Sequence, residues 1–171
     1  MKLMIASDIH GSAYWCGRLL EEFNSGGYER LLLLGDLLYH GPRNPLPEGH
    51  DPKEVARLLN SVKERILCVR GNCDCEVDQM MLQFPVLADY AWLYIDGCSL
   101  FATHGHVYNK ETPPPMPTGT FLLNGHFHIP EITEQEGFVY VNCGSVALPK
   151  NGSAQSYAVL EDGKFRLCSL E

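Results

Sequence analysis

Four consecutive leucines, Leu31 to Leu34, run directly into Gly35 and Asp36. A stretch apolar at every position reads as a strand buried on both faces, so the fold must supply a packing layer on each side of it. A glycine and a lone aspartate then stand where that strand stops. The C-terminal edge of such a sheet is where α/β proteins place ligands. Asp36 is therefore the expected centre of a site to which other segments deliver polar groups.

The preceding segment has the same form. Lys2 to Ser7 is a short apolar run that ends in Asp8-Ile9-His10-Gly11. Alternate residues of an extended segment point the same way, so Asp8 and His10 could grip one cation from one side. Ser12 then caps a helix with Tyr14, Leu19, Leu20 and Phe23 on one face, closed by Asn24-Ser25-Gly26-Gly27. Strand, helix and strand make a β-α-β unit, which predicts a right-handed crossover and a parallel pair.

Beyond Asp36 lies a loop with Pro42, Pro45, Pro47 and Pro52, too rich in proline to be helical. It leaves from the proposed site, so His40, Arg43 and Asn44 are candidates to touch a substrate, Arg43 through its forked phosphate-binding geometry. A solvated surface loop is the competing reading. A helix follows from Asp51 or Pro52 through Val55, Leu58, Leu59 and Val62. A third strand, Ile66 to Val69, ends in Gly71-Asn72-Cys73-Asp74, and a helix runs from Cys75 to about Leu82. Asp74 either orients a neighbouring ligand or caps that helix.

The second half reads as short strands: 92–95, 99–102, 120–123, 132–133, 138–141, 157–160 and 165–168, with Asp162-Gly163 as a tight hairpin turn. Two of them end in histidine clusters, Thr103-His104-Gly105-His106 and Gly125-His126-Phe127-His128. A lone histidine is usually structural, and His50 is read that way. His106 is read as lying beside the ligand set rather than in it.

The five clusters D-x-H, G-D, G-N-C-D, H-G-H and G-H-x-H, in that order, resemble the calcineurin-like metallophosphoesterase superfamily. Gly35-Asp36-Leu37-Leu38, His40-Gly41-Pro42-Arg43-Asn44 and Asn142-Cys143-Gly144-Ser145 resemble in particular its small bacterial YfcE-type phosphodiesterases. The resemblance implies a four-layer α/β/β/α sandwich of two mixed sheets flanked by helices, formed as a single domain over residues 1–171, with a dimetal site at one end. It also implies that Asp8, His10, Asp36 and His128 hold one divalent ion, and that Asp36, Asn72, His104 and His126 hold the second. This donor set suits Mn²⁺, with Fe²⁺, Zn²⁺, Co²⁺ or Ni²⁺ as alternatives. In such sites the ions stand about 3.5 to 4 Å apart and generate a bridging hydroxide that attacks phosphorus in line.

Asp36, Asn72, Cys73 and His104 form the expected catalytic group. Many members of the superfamily carry histidine where this chain has Cys73. A neutral thiol adds no positive charge and is a poor acid for the leaving oxygen. With a formal site charge of about +1, losing that cation costs a dianionic monoester more than a monoanionic diester. The expected activity is therefore hydrolysis of small phosphodiesters with good leaving groups. A phosphomonoesterase or protein phosphatase, or a non-catalytic scaffold of the same fold, are the alternatives.

Three global properties bear on partners. A net charge of -8 excludes an extended phosphate-tracking surface for nucleic acid. No apolar run approaches the length of a membrane span. Seven cysteines without paired spacing predict reduced thiols and a cytoplasmic location. Aromatic and proline-rich loops offer a surface for a homo-oligomer as readily as a pocket rim.

Overall fold

The computed structural model describes residues 1–170. Three parallel strands come first in the chain: β1 (Leu3–Ala6), β2 (Arg30–Leu33) and β3 (Ile66–Cys68). They are linked by helices α1 (Ala13–Ser25) and α2 (Pro52–Asn60). A third, one-and-a-half-turn helix, α3 (Glu76–Met81), follows β3. Then come β4 (Ala91–Ile95), β5 (Cys98–Ala102), β6 (Thr120–Asn124), β7 (Pro130–Gln135), β8 (Phe138–Cys143), β9 (Ser156–Glu161) and β10 (Lys164–Ser169).

Two mixed sheets of five strands result, ordered β10-β9-β1-β2-β3 and β4-β5-β6-β8-β7. The leucine run shows why they stack. Leu31 and Leu33 point outward into the core beneath the helices, with Cys16, Leu19, Leu20 and Phe23 of α1 and Val55 and Leu59 of α2. Leu32 and Leu34 point the other way, against Leu100, Ala102, Leu123 and Val141 of the second sheet. Each strand residue thus serves one of two cores in strict alternation.

The expected two-sheet sandwich is the architecture observed, with a difference at its outer layer. No helix lies between β4 and β10 among the described residues. The outer face of the second sheet, built on Phe101, Leu122 and Tyr140, is instead packed by Met116 from the proline-rich segment before β6. Prolines deny that segment the backbone donors a helix needs, and a loop can still place one methionine over the sheet.

Helix α1 begins where expected, with Ser12 Oγ accepting from Trp15 N at 3.2 Å. Its buried face is Cys16, Leu19, Leu20 and Phe23. Tyr14, expected on that face, is exposed and lies edge-on to Trp15. Spacings of three, one and three residues keep Cys16 in phase with the leucines, and Tyr14 falls outside that stripe. Asp51 Oδ1 caps α2, with Pro52 in the first turn.

Candidate metal centre

β1, β2, β3, β5 and β6 run in the direction that brings their C-terminal ends to one edge of the sandwich, and each delivers polar residues there. Asp8, His10, Asp36, His126 and His128 all have positive φ, between 50° and 63°. Side chains other than glycine adopt this left-handed conformation at a cost of order 1 kcal/mol or more, so neighbouring bonds must hold it. They do: Asp8 N donates to Gly35 O at 3.0 Å, His10 N to Asp36 O at 2.9 Å, and Gly11 N to Leu37 O at 2.9 Å. These bonds zip the turn after β1 to the turn after β2. A sharp turn at each strand end aims the side chains across the edge rather than along it.

Two glycines make the close approach of these turns feasible. A Cβ on Gly71 would overlap Asp36 Oδ1 and the Asp36 backbone nitrogen. A Cβ on Gly125 would overlap Ser7 Oγ and lie 2.6 Å from Asp8 Oδ2. That carboxylate oxygen accepts instead from His126 N at 2.9 Å. Ser145 Oγ donates to Asp8 O at 2.9 Å, and Asn142 Nδ2 donates to Gly125 O at 2.7 Å. The Asn142-Cys143-Gly144-Ser145 turn thereby braces two ligand turns without entering the centre.

Asp74 occupies the position expected of an orienting residue. Its Oδ2 accepts from Asp36 N at 2.8 Å and Gly71 N at 2.7 Å, and its Oδ1 from Leu37 N at 2.9 Å. It does not cap α3. Cys75 holds the cap position there, and Asp78 reaches back to Cys75 N at 2.8 Å. Burial outweighs these three donors and raises the Asp74 carboxyl above its ordinary value.

The side-chain atoms at the centre form two overlapping groups. Asp8 Oδ1 lies 3.3 Å from His10 Nε2 and 3.1 Å from His128 Nε2, and the two nitrogens are 3.3 Å apart. His104 Nε2 lies 3.0 Å from Asn72 Oδ1 and 3.2 Å from His126 Nδ1. Asp36 Oδ2 faces both, at 3.8 Å from His10 Nε2 and 3.4 Å from His104 Nε2.

The tautomers show what such crowding requires. His10, His104 and His128 each direct Nδ1 at a backbone carbonyl, of Tyr39, Leu34 and Leu148, at 2.8, 2.7 and 2.5 Å. A carbonyl only accepts, so Nδ1 carries the proton and the neutral ring presents a bare Nε2. Bare nitrogens and carboxylate oxygens within 3.4 Å of one another repel unless a cation joins them. Asp8 Oδ1 is buried and has no hydrogen-bond partner. Asp8, His10 and His128, and likewise Asp8, Asp36 and His104, bring donor atoms within 4.8 Å of one another, and imidazole nitrogens with carboxylate oxygens are a donor set that fits divalent metal ions.

Without metal, protons take that role unevenly. Burial opposes a charge on His104, but Asp8 and Asp36 raise it to about 9. Burial and the nearby His104 push His126 down to about 4. Despite burial, His104, His10 and His128 hold the Asp8 carboxyl well below the usual range.

A cavity of about 370 Å³ opens over the centre, lined by His10, Asp36, Asn72, His126 and His128 together with residues of the surrounding loops. Arg43 and Asn44 line it, as does Cys73, whose thiol burial and Asp36 push up, away from thiolate. His40 does not line it. Its ring packs edge-on against Tyr39 and His50, and only its carbonyl serves the loop, accepting from Asn44 Nδ2 at 2.9 Å. His106 is exposed, its ring 5.4 Å from that of His104, and it contributes to neither ligand group. His104 is fully buried; its Nε2 is turned to the centre, toward Asn72 and Asp36, and it does not line the cavity.

Two lining residues escape a reading of the sequence. Phe127 holds the unspecified position between two histidines. Lys150 lies far along the chain, and its backbone N–H docks on His128 O at 3.1 Å. Only the parallel pairing of β6 with β8 places the segment after β8 beside the segment after β6.

Comparison with known proteins gives a consistent result. A family model described as the calcineurin-like phosphoesterase superfamily domain matches residues 1–163. The chain is 46% identical over 171 residues to the phosphodiesterase YfcE of Escherichia coli (strain K12), covering 99% of this chain and 92% of that protein. The solved structure of the E. coli phosphoesterase Yfce superposes with a TM-score of 0.92 at 41% identity, covering all of both chains. An archaeal phosphodiesterase shares the fold, with a TM-score of 0.68 at 17% identity over 98% of this chain and 99% of that one. No helix among the described residues is long and apolar enough to cross a membrane. All seven cysteines are free thiols.

Proposed function

The chain belongs to the calcineurin-like phosphoesterase superfamily, and from that premise we propose that it is a metal-dependent phosphodiesterase acting on small diesters at a two-metal centre. The observation that carries the reading is Asp36 Oδ2, an acceptor facing His10 Nε2 on one side and His104 Nε2 on the other. One metal group would be held by Asp8, His10, Asp36 and His128, the other by Asp36, Asn72, His104 and His126. Bound divalent ions supply a nucleophile at neutral pH and neutralise charge on the phosphoryl oxygens.

The chain's own residues do the rest. Arg43 lines the cavity wall, where its planar guanidinium would hold the non-reacting oxygens through two parallel N–H groups and so orient the phosphate. Asp74 holds the Asp36 backbone, and through it the bridging carboxylate, in place. Cys73 supplies no effective acid at the leaving oxygen, because burial and Asp36 disfavour loss of its proton. Diesters whose leaving group is already a stable anion are therefore the expected substrates.

One observation favours the phosphomonoesterase alternative. Lys150 joins Arg43 on the cavity wall, and two cations suit a dianion better than one. The experiment is hydrolysis of a bis-aryl phosphodiester and its matching aryl monoester by metal-stripped protein, before and after Mn²⁺ addition, with Asp36→Asn in parallel. Metal-dependent diester cleavage lost in Asp36→Asn supports the proposal. Preferential monoester cleavage moves the assignment to a phosphatase, and inactivity with every divalent ion leaves a scaffold.

A further inference from the structure

Phe127 stands between two residues of the centre, His126 and His128, yet the residue is 40% exposed. The backbone leaves it little freedom to turn inward: both flanking histidines are left-handed, and Phe127 N donates to Gly125 O at 2.7 Å. The ring is the wall shared by two voids. One is the 370 Å³ cavity over the centre, and the other is a recess of about 170 Å³ bounded by Lys110, Ile129, Glu131 and Tyr140.

The two voids differ in charge. The cavity carries Arg43 and Lys150. In the recess, Lys110 Nζ is paired with Glu131 at 2.8 Å, and Glu111 adds a second carboxylate. Ile129 and the buried Tyr140 ring make its floor apolar. A phosphate fits the first void, whereas a second phosphate would meet unbalanced carboxylates in the other. A flat uncharged ring with polar edges suits the recess: one face against Phe127, its edge toward the Lys110–Glu131 pair. Ring stacking on an exposed aromatic tolerates any base, since every base has a π-face.

Resting on the phosphodiesterase reading of the cavity, we propose that Phe127 is a specificity-determining residue and that the substrate is a nucleotide diester with a single phosphate. Its nucleobase stacks on Phe127 and extends toward the Lys110–Glu131 recess. The phosphoryl group remains with Arg43 and Lys150.

The test compares binding of adenosine 5′-monophosphate and ribose 5-phosphate to the Mn²⁺-loaded protein by calorimetry, in wild type, Phe127→Leu and Phe127→Trp. The two ligands share a phosphate and a sugar, so their affinity ratio isolates the base. Any disturbance of the metal centre affects both and cancels. The expected ratio is about tenfold in favour of the nucleotide in wild type, near one in Phe127→Leu, and retained in Phe127→Trp. A ratio near one in wild type, a ratio unchanged in Phe127→Leu, or no binding of either ligand overturns the assignment. Hydrolysis of p-nitrophenyl diesters, followed separately, tests the catalytic reading: base-selective binding without turnover refutes that reading alone, and turnover without base selectivity refutes this inference alone.

Discussion

Asp74 lies behind Asp36 and accepts its backbone N–H at 2.8 Å, while the same oxygen accepts from Gly71 N at 2.7 Å. One buried carboxylate thus ties the turn after β2 to the turn after β3 and sets the direction of Asp36, whose Oδ2 faces both His10 Nε2 and His104 Nε2. An amide in its place must turn an NH₂ toward at least one of three N–H donors. Asp74→Asn is expected to lose roughly 1–3 kcal/mol of stability and about 10- to 100-fold in Mn²⁺ affinity. Denaturant titration and metal calorimetry check the two effects separately.

Metal and proton compete for the same atoms. His104 in the metal-free protein is raised to about 9, so a divalent ion held by His104, as proposed, would have to displace its proton over most of the accessible pH range. Mn²⁺ affinity is therefore expected to weaken as pH falls from 9 to 6, with proton release on binding. Calorimetry in buffers of different ionisation enthalpy counts that release. The sign for folding of the metal-free protein is the opposite. The stabilisation from protonated His104 is complete below its unfolded value of about 6.5 and fades as pH rises through about 9.

The donor atoms of the centre converge only in the folded chain, so an ion bound there stabilises the folded state. A ligand at a hundred times its dissociation constant stabilises by about 2.7 kcal/mol, which in a chain of this size raises Tm by about 5 to 11 °C. Scanning calorimetry with and without Mn²⁺ measures the shift. Asp36→Asn is expected to abolish most of it, because the proposed centre places both ions against that carboxylate, which faces His10 and His104.

Cys73 faces the cavity as a protonated thiol held there by burial and by Asp36. Alkylation of Cys73 by iodoacetamide in metal-stripped protein is expected to be slower than that of an ordinary thiol and still rising at pH 9. Peptide mass spectrometry follows it. Cys73→His is expected to raise monoester turnover relative to diester turnover, since an imidazolium adds a positive charge and a proton donor. An unchanged ratio means that substrate class is set elsewhere in the cavity.

Arg43 and His40 separate two neighbours on one loop. Arg43→Ala is expected to lower kcat/KM for a phosphodiester roughly tenfold or more, the worth of a charge-assisted hydrogen bond. His40→Ala, whose ring packs on Tyr39 and His50 and does not line the cavity, is expected to stay within about twofold, because the substitution removes the ring and leaves the carbonyl that holds Asn44. Steady-state kinetics of both variants on one substrate decides the comparison.

The strands, the burial of Leu31 to Leu34 on both faces and the convergence of polar residues at one sheet edge were legible in the amino-acid order because each rests on a local signal. An apolar run that stops at a polar residue marks a strand end at an edge, and alternation within Leu31 to Leu34 assigns each leucine to its own core. Asp8, His10, Asp36, Asn72, His104, His126 and His128 all follow directly on such runs. Asp74 could be narrowed to two roles from the sequence, and only its bonds to Asp36 and Leu37 chose between them.

Tertiary structure alone decided the directions of side chains that no local period governs. In the loop after Asp36, Asn44 Nδ2 bonds His40 O and Ser12 Oγ bonds Glu48 O, and these links turn Arg43 and Asn44 into the cavity and His40 out of it. Lys150 reaches the site through strand pairing between β6 and β8, and Phe127 through two left-handed neighbours. The physical reason is the same in each case. A strand propagates one residue's direction to the next by its pleat, so sequence carries it. A loop has no such repeat and takes its course from bonds to distant segments, which exist only once the sheets have packed.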